Sequence, residues 1–166
     1  MFLRAATLTA LTIGLVGAPG VAQACIELQD QARVDVNVLF FLLWNATQGR
    51  ALNAADVTKI EEAIGPWREM TVVPIRNVRR ALKTPPSVMA PDAAEGLRTR
   101  IKAVELEAER LQQEAMFALA PLGAEVSDPA DAARANVAAY EQMLSVRFPR
   151  EAAATLLTAF SALPRE

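Results

Sequence analysis

The chain has 166 residues, the length of one domain with enough chain to bury a full hydrophobic core. Its 17 basic and 19 acidic residues give a formal net charge of −2, and this balance argues against an electrostatic nucleic-acid binder. Because there is no histidine and only one cysteine, histidine-dependent catalysis, histidine zinc sites and intrachain disulfides are excluded.

The composition favours helices over sheets. Hydrophobic residues make up 52% of the chain, but aromatic residues only 5%, and alanine is abundant. Alanine is the best helix former, whereas sheets favour aromatic and β-branched residues. We therefore predict an all-α, single-domain bundle of about seven helices with one long alanine-rich helix.

Residues 1–24 have two interpretations, of which the first is a cleavable secretory signal. Arg4 supplies the positive charge, an apolar stretch follows, and Ala22-Gln23-Ala24 resembles a cleavage site. A membrane span is not predicted, because Pro19 and Gly20 interrupt the apolar run before it reaches about 20 residues. Under this interpretation the protein is periplasmic or secreted.

In the second interpretation the same residues are retained as the first helix of the domain. Leucines recur at helical spacing at Leu8, Leu11 and Leu15. Gly17 is placed to end this helix and Pro19 to begin the next, which cleavage after Ala24 would cut in its first turns. We favour this interpretation and expect a cytoplasmic protein.

The most apolar run, Val36 to Trp44, predicts the central buried helix, because apolar residues lie on all its sides. Asp35 is placed to cap its start and Gly49 to end it. Asn53-Ala54-Ala55-Asp56 then resembles a capping box, with aspartate in place of glutamate. It predicts a short helix that ends at Gly65-Pro66.

The next segment, Trp67 to Lys83, has a helical pattern that Pro74 interrupts. Since proline has no N–H to bond the carbonyl four residues back, we expect a kink or break near Val73. Thr84-Pro85-Pro86-Ser87 is the clearest linker in the chain.

The longest predicted helix runs from Asp92 to about Ala120. Its apolar residues alternate in steps of four and three, and they are Leu97, Ile101, Val104, Ala108, Leu111, Ala115 and Ala118. This spacing predicts a heptad seam, satisfied within the chain, by a second copy, or by another protein.

The C-terminal part predicts two more helices. Asp128-Pro129 is typical of a helix start, and Pro149 opens a last helix to about Leu163. We divide the chain into a main helical domain over residues 1–120 and a C-terminal helical hairpin over residues 121–166, packed on the main domain or extending it.

The strongest candidate ligand site is a basic stripe at helical spacing, Arg76, Arg79, Arg80 and Lys83, with Arg68 nearby. Arginine presents a fork of donors that suits phosphate or carboxylate. The alternative is that the stripe pairs with glutamates of the long helix, Glu105, Glu107 and Glu109.

Further polar candidates adjoin apolar runs: Gln29, Asp30 and Asn37. They form either an internal hydrogen-bond network or a ligand-orienting cluster. Trp44 and Trp67 either line such a pocket or belong to the core.

No motif predicts an enzyme, a cofactor or a metal site. Glu105 and Glu109 share a helix face, but a di-iron bundle site also needs histidine, which is absent. Cys25 is expected to be a buried, unreactive thiol.

Several short motifs together are similar to those of one family. They are Pro19-Gly20-Val21, Cys25 with Leu28-Gln29-Asp30, Asp35 to Phe41 with Trp44, Trp67-Arg68, Val73-Pro74-Ile75-Arg76, Arg79-Arg80, Leu82-Lys83 and Glu105 to Arg110. On these motifs the chain resembles a small family of bacterial proteins called domain of unknown function 2390, over about Leu8 to Gln113. The resemblance implies a soluble, mostly helical protein and assigns no activity, cofactor, partner or catalytic residue.

The leading functional hypothesis is a non-catalytic helical protein that acts through protein–protein contacts or as a scaffold. Its partner would be another protein or a second copy, bound through the helix from Asp92 to Ala120. The alternative is a binder of small anionic ligands that uses the stripe from Arg76 to Lys83. No nucleic-acid partner and no membrane span is expected.

Overall fold

Helices dominate the computed structural model, which describes residues 2–125 and 128–164. The side chains of residues 2–7, which include Arg4, and of Thr9 lie outside this description. The helices are α1 Phe2–Val16, α2 Val21–Ala32, α3 Val36–Thr47, α4 Ala54–Trp67, α5 Val73–Ala81, α6 Pro91–Phe117, α7 Pro129–Leu144 and α8 Arg150–Ser161, with a π-helical turn Arg68–Val72. Two short strands, β1 Arg50–Ala51 and β2 Ala124–Glu125, complete the described elements. Helix α4, the π turn and α5 follow one another without a gap and form one continuous helical segment, so the described residues contain seven separate helical segments. The predicted all-α bundle of about seven helices is confirmed.

Helix α3 forms the centre of the core, as its all-round apolarity predicted. Every residue from Val38 to Ala46 is buried. The ring of Phe41 stacks on Trp44, and Phe117 from α6 meets both rings edge-on at centroid distances of 5.8 and 5.0 Å. These aromatic pairs tie α6 to α3, while α7 packs along another side of α3.

The predicted N-caps are confirmed at α3 and α4. The Asp35 carboxylate accepts a hydrogen bond from the backbone N–H of Asn37 at 2.9 Å. At α4, Asn53 and Asp56 exchange side-chain-to-backbone bonds of 3.0 and 3.2 Å, which completes the capping box. Each cap satisfies an N–H that the helix itself leaves without a partner.

The predicted end of α4 at Gly65-Pro66 is wrong, because the helix continues to Trp67. Pro66 and Glu62 are both exposed, so the carbonyl that proline leaves unbonded lies on the solvent side of the helix. The predicted interruption near Val73 is the π-helical turn, in which the Val73 N–H bonds the Arg68 carbonyl five residues back.

Helix α6 buries a different face from the predicted seam. Of the seam residues, Ala108 is buried and Ile101 half-buried, but Leu97, Val104 and Leu111 are exposed. The residues that α6 does bury are Ala94, Glu105, Ala108, Gln112, Met116 and Phe117. Since a straight helix turns about 100° per residue, a strict seven-residue repeat drifts about 20° per heptad from a fixed contact line.

The C-terminal helices join the same core. Helix α7 packs on α3 and α4, and α8 packs along α2. The buried Asn136 of α7 donates to the Leu42 carbonyl at 2.8 Å and accepts from the Leu52 N–H at 2.6 Å. Next to it β1 and β2 pair antiparallel, with Arg50 opposite Glu125.

Helix α1 contributes to the core along one side. Leu8 and Leu15 are fully buried and Leu11 nearly so. Helix α2 begins at Val21 rather than at Pro19, because Gly20 adopts a left-handed conformation (φ 79°) as its N-cap. In the described part of the chain no single helix has the length and apolarity of a membrane span, and Ala10–Val16 with Val21–Ala32 reach that length only together, across a 95° bend.

Candidate functional site

A cleft of about 750 Å³ lies between α2, α5 and α6. Its lining residues are Ile26, Gln29 and Asp30 from α2; Arg76, Arg79 and Arg80 from α5, with Lys83 just after it; and Lys102, Glu105, Leu106 and Glu109 from α6. The volume lies within the usual range for small-ligand sites. Five basic and three acidic side chains line the cleft, which gives it a formal charge of +2.

The cationic wall of the cleft results from a short helix that lies on the surface. Helix α5 has no buried residue, and its basic side chains recur every three or four positions, so they share one side of the helix. This side faces α6, where Glu105 and Glu109 project one turn apart.

Part of this basic stripe is neutralised by α6. The carboxylate of Glu105 accepts from Arg76 Nε at 3.0 Å and also from Arg79, and Glu109 accepts from Arg76 Nη2 at 2.6 Å. The predicted pairing with the long helix therefore occurs for these two arginines. Glu107 is directed elsewhere and pairs with Arg110.

The pKa values of the two glutamates shift in opposite directions. Burial alone would raise the pKa of Glu105, but hydrogen bonds from Arg79 and Arg76 lower it below its ordinary value. Burial raises the pKa of Glu109, because its bond to Arg76 and its attraction to that charge offset the desolvation only in part. Glu105 is thus the principal counter-charge in the cleft.

The other basic side chains of the cleft have no such counter-charge. Arg80, Lys83 and Lys102 are exposed and form no ion pair with any described residue. Lys102 was not among the sequence candidates. Lys102 lies three residues before Glu105 and seven before Glu109, so all three share one side of α6. This spacing is the signal that could have identified it.

The rest of the cleft lining consists of polar residues of α2 and two exposed apolar residues. Gln29 and Asp30, both predicted as polar candidates, line the cleft and have no side-chain hydrogen bond to another described residue. Ile26 and Leu106 are 49% and 57% exposed and provide an apolar surface between the polar groups. The cleft can therefore receive an anion at one wall and an organic group with hydrogen-bond donors at the other.

Two predicted candidates lie outside the cleft. Arg68 donates to Asp35 at 3.2 Å and to both oxygens of Glu61 at 3.1 and 2.7 Å, and these bonds and charges raise its pKa although burial opposes the shift. Asn37 accepts from Gln113 Nε2 at 3.0 Å. Their side chains are already used in contacts within the protein.

The contacts of Arg68 belong to a polar network that the sequence did not reveal. The hydroxyl of Tyr140 accepts from the Asp35 N–H at 3.1 Å and donates to Glu61 at 3.2 Å. Gln112 donates to the Asp35 carboxylate at 2.7 Å. The network joins the start of α3 to α4, α6 and α7, and it involves residues up to 105 positions apart in the chain.

The tryptophans and the cysteine are not part of the cleft lining. Trp44 is buried in the aromatic cluster, and Trp67 Nε1 donates to the Ala108 carbonyl at 3.0 Å. Cys25 is buried, and burial raises the pKa of its thiol to about 11. Across the described residues no three His, Cys, Asp or Glu side chains are grouped closely enough to hold a metal ion.

Comparison with known proteins identifies a family for this chain. The family model described as "Protein of unknown function (DUF2390)" matches residues 11–116, from the end of α1 to the end of α6. No curated protein and no solved structure matches the chain. The match covers well over half of the chain and includes all three walls of the cleft, and the chain therefore belongs to the DUF2390 family.

Proposed function

We propose that this protein is a non-catalytic binding protein for a small anionic ligand, held in the cleft between α2, α5 and α6. The observation that carries the proposal is the set of three exposed cations, Arg80, Lys83 and Lys102, that line one cleft and form no ion pair with a described residue. Arg76 and Arg79 of the same stripe are instead paired with Glu105.

The chemistry of the cleft favours a phosphate or carboxylate group. Arg80 offers a planar fork of donors that matches two oxygens of such a group, and the two lysines add point charges on the same side. Arg76 and Arg79 are held in place by Glu105 and so form a fixed positive background. An anion binds there without first breaking an ion pair of Arg80, Lys83 or Lys102.

Calorimetric titration with inorganic phosphate, pyrophosphate and citrate tests the proposal. We expect binding that weakens as salt is added, because the charges are solvent-exposed. Replacing Arg80 and Lys83 together by alanine should weaken binding by about tenfold or more, since one charge-assisted hydrogen bond contributes about 1.5–3 kcal/mol.

A matched control is Arg100→Ala. Like Arg80, Arg100 is an exposed arginine without an ion pair to a described residue, but it belongs to α6 and lies outside the cleft. It should leave the affinity unchanged. Equal losses in the control and the cleft variant, or no binding of any of the three anions to the wild type, would contradict the proposal.

A second candidate function is interaction with another protein chain through α6. The observation that favours it is the exposure of Leu97, Val104 and Leu111, three seam residues that the fold leaves uncovered. This function is compatible with ligand binding, because neither of the two sites uses the residues of the other.

A further inference from the structure

An apolar line at seven-residue intervals runs along the exposed side of α6. Leu97, Val104 and Leu111 are 39%, 51% and 39% exposed, although each belongs to the predicted heptad seam. We refer to these three residues as the α6 line. A seven-residue repeat of large apolar residues is the pattern by which one helix packs along another.

The α6 line is separate from the ligand cleft. Lys102 and Leu106 each lie two residues from Val104, which corresponds to about 200° around the helix. The cleft and the α6 line therefore occupy opposite sides of α6. A partner bound to the line leaves the cleft open.

The equal spacing of the line allows an antiparallel copy of the same helix to match it. Leu97 and Leu111 are equally distant in sequence from Val104, so a two-fold axis at Val104 places Leu97 against Leu111 of the partner subunit at both ends. The same patch then serves both subunits, as a symmetric dimer requires.

The charges beside the line favour the same orientation. Arg100 has no ion pair with a described residue, and with the axis at Val104 it lies next to Glu107 of the partner subunit. In a parallel pair, by contrast, Arg100 and Glu107 of the partner subunit would lie seven residues, about 10 Å, apart along the helix axis. The parallel arrangement therefore lacks this ion pair, and the charges favour the antiparallel one.

We infer that two copies of this chain associate through antiparallel α6 helices, with Val104 at the two-fold axis and Arg100 of each subunit paired with Glu107 of the partner subunit. Glu107 already bonds Arg110 on the exposed side of its own helix, so the dimer adds a second cation to that carboxylate. The inference does not depend on the ligand proposed for the cleft.

Sedimentation velocity over a dilution series of the full chain tests the inference. The wild type should change from monomer to dimer between low and high micromolar concentration. Val104→Glu should remain monomeric at every concentration, whereas the matched control Leu106→Glu should dimerise like the wild type. Leu106 is a suitable control because its exposure, 57%, is close to the 51% of Val104, but it lies on the opposite side of the same helix. Thermal melts of both variants should show that each is folded.

Charge reversal tests the orientation. Arg100→Glu and Glu107→Arg should each weaken the dimer by about tenfold or more, and the double variant should recover most of the loss. A wild type that stays monomeric throughout would overturn the inference. Equal dissociation by Val104→Glu and Leu106→Glu, or no recovery in the double variant, would also overturn it.

Discussion

Replacement of Leu15 by alanine measures how much helix α1 contributes to the fold. The Leu15 side chain is fully buried within the main hydrophobic cluster. Removing a buried leucine side chain costs about 2–5 kcal/mol, because transfer energy is lost and a cavity remains. A domain of this kind has a total stability of about 5–15 kcal/mol, so the change removes a large share of it.

The expected effect is a large fall in Tm. For a chain of this size each kcal/mol corresponds to about 2–4 °C, so Leu15→Ala should lower Tm by about 4–20 °C. Ile13→Ala is the matched control on the same helix, because Ile13 is 69% exposed. It should change the free energy of unfolding by no more than about 0.5 kcal/mol.

Thermal melts and urea unfolding of the 166-residue chain, followed by circular dichroism at a helical band and by tryptophan fluorescence, give the Tm and the free energy of unfolding of each variant. The retained-helix interpretation of residues 1–24 requires a large difference between the two variants. If Leu15→Ala were as stable as Ile13→Ala, α1 would not belong to the core and the signal-segment interpretation would be favoured instead.

Three further predictions concern single buried groups. Tyr140→Phe removes the hydroxyl that accepts from the Asp35 N–H, and it should lower the free energy of unfolding in urea by about 1–3 kcal/mol; no loss would exclude a structural role for the network. Glu105 has a lowered pKa in the fold, so its stabilising contribution is present above its unfolded pKa of about 4.3 and is lost as the pH falls through the folded value. The stability difference between the wild type and Glu105→Gln should therefore shrink on acidification, and a constant difference from neutral to acidic pH would contradict this. Since burial raises the pKa of the Cys25 thiol to about 11, iodoacetamide should label it slowly at neutral pH in the folded chain and quickly in urea; equal rates would show that the thiol is not buried.

Local signals in the sequence were sufficient for much of the fold. A cap requires only residues within one turn, so Asp35 and the Asn53–Asp56 box were recognisable from spacing alone. The central position of α3 followed from apolar residues on all its sides. Pro66 was misleading because its effect depends on which side of α4 faces solvent, and a local pattern does not give that side.

The contacts between distant segments were beyond local patterns. Tyr140 and Asp35 are 105 positions apart, and only the docking of α7 against α3 brings them together. The basic stripe was recognisable, but the division between its paired and unpaired members depends on where α6 lies. The position of α6 also determines that Glu105 is buried. Spacing alone would place this residue on a solvated surface.

The seam on α6 shows the limit of periodicity most clearly. The spacing of its apolar residues predicts a contact surface, but repeats of 3.5 and 3.6 residues are hard to distinguish over three heptads. The helix is therefore rotated away from the predicted line, with Ala108 inside and Val104 outside. The pattern identified the apolar residues of the seam correctly, but the fold buries some of them in the core and leaves others exposed on the surface.

Amide chemical-shift mapping by NMR during titration with pyrophosphate tests the proposed ligand cleft most directly. The proposal predicts saturable shifts concentrated in three segments: α2 near Asp30, α5 with Lys83, and α6 near Lys102. Amides of α7 and α8, which form no part of the cleft lining, should stay unshifted. Shifts centred on another surface, or none at concentrations that saturate ordinary phosphate sites, would contradict the assignment of the cleft as a binding site.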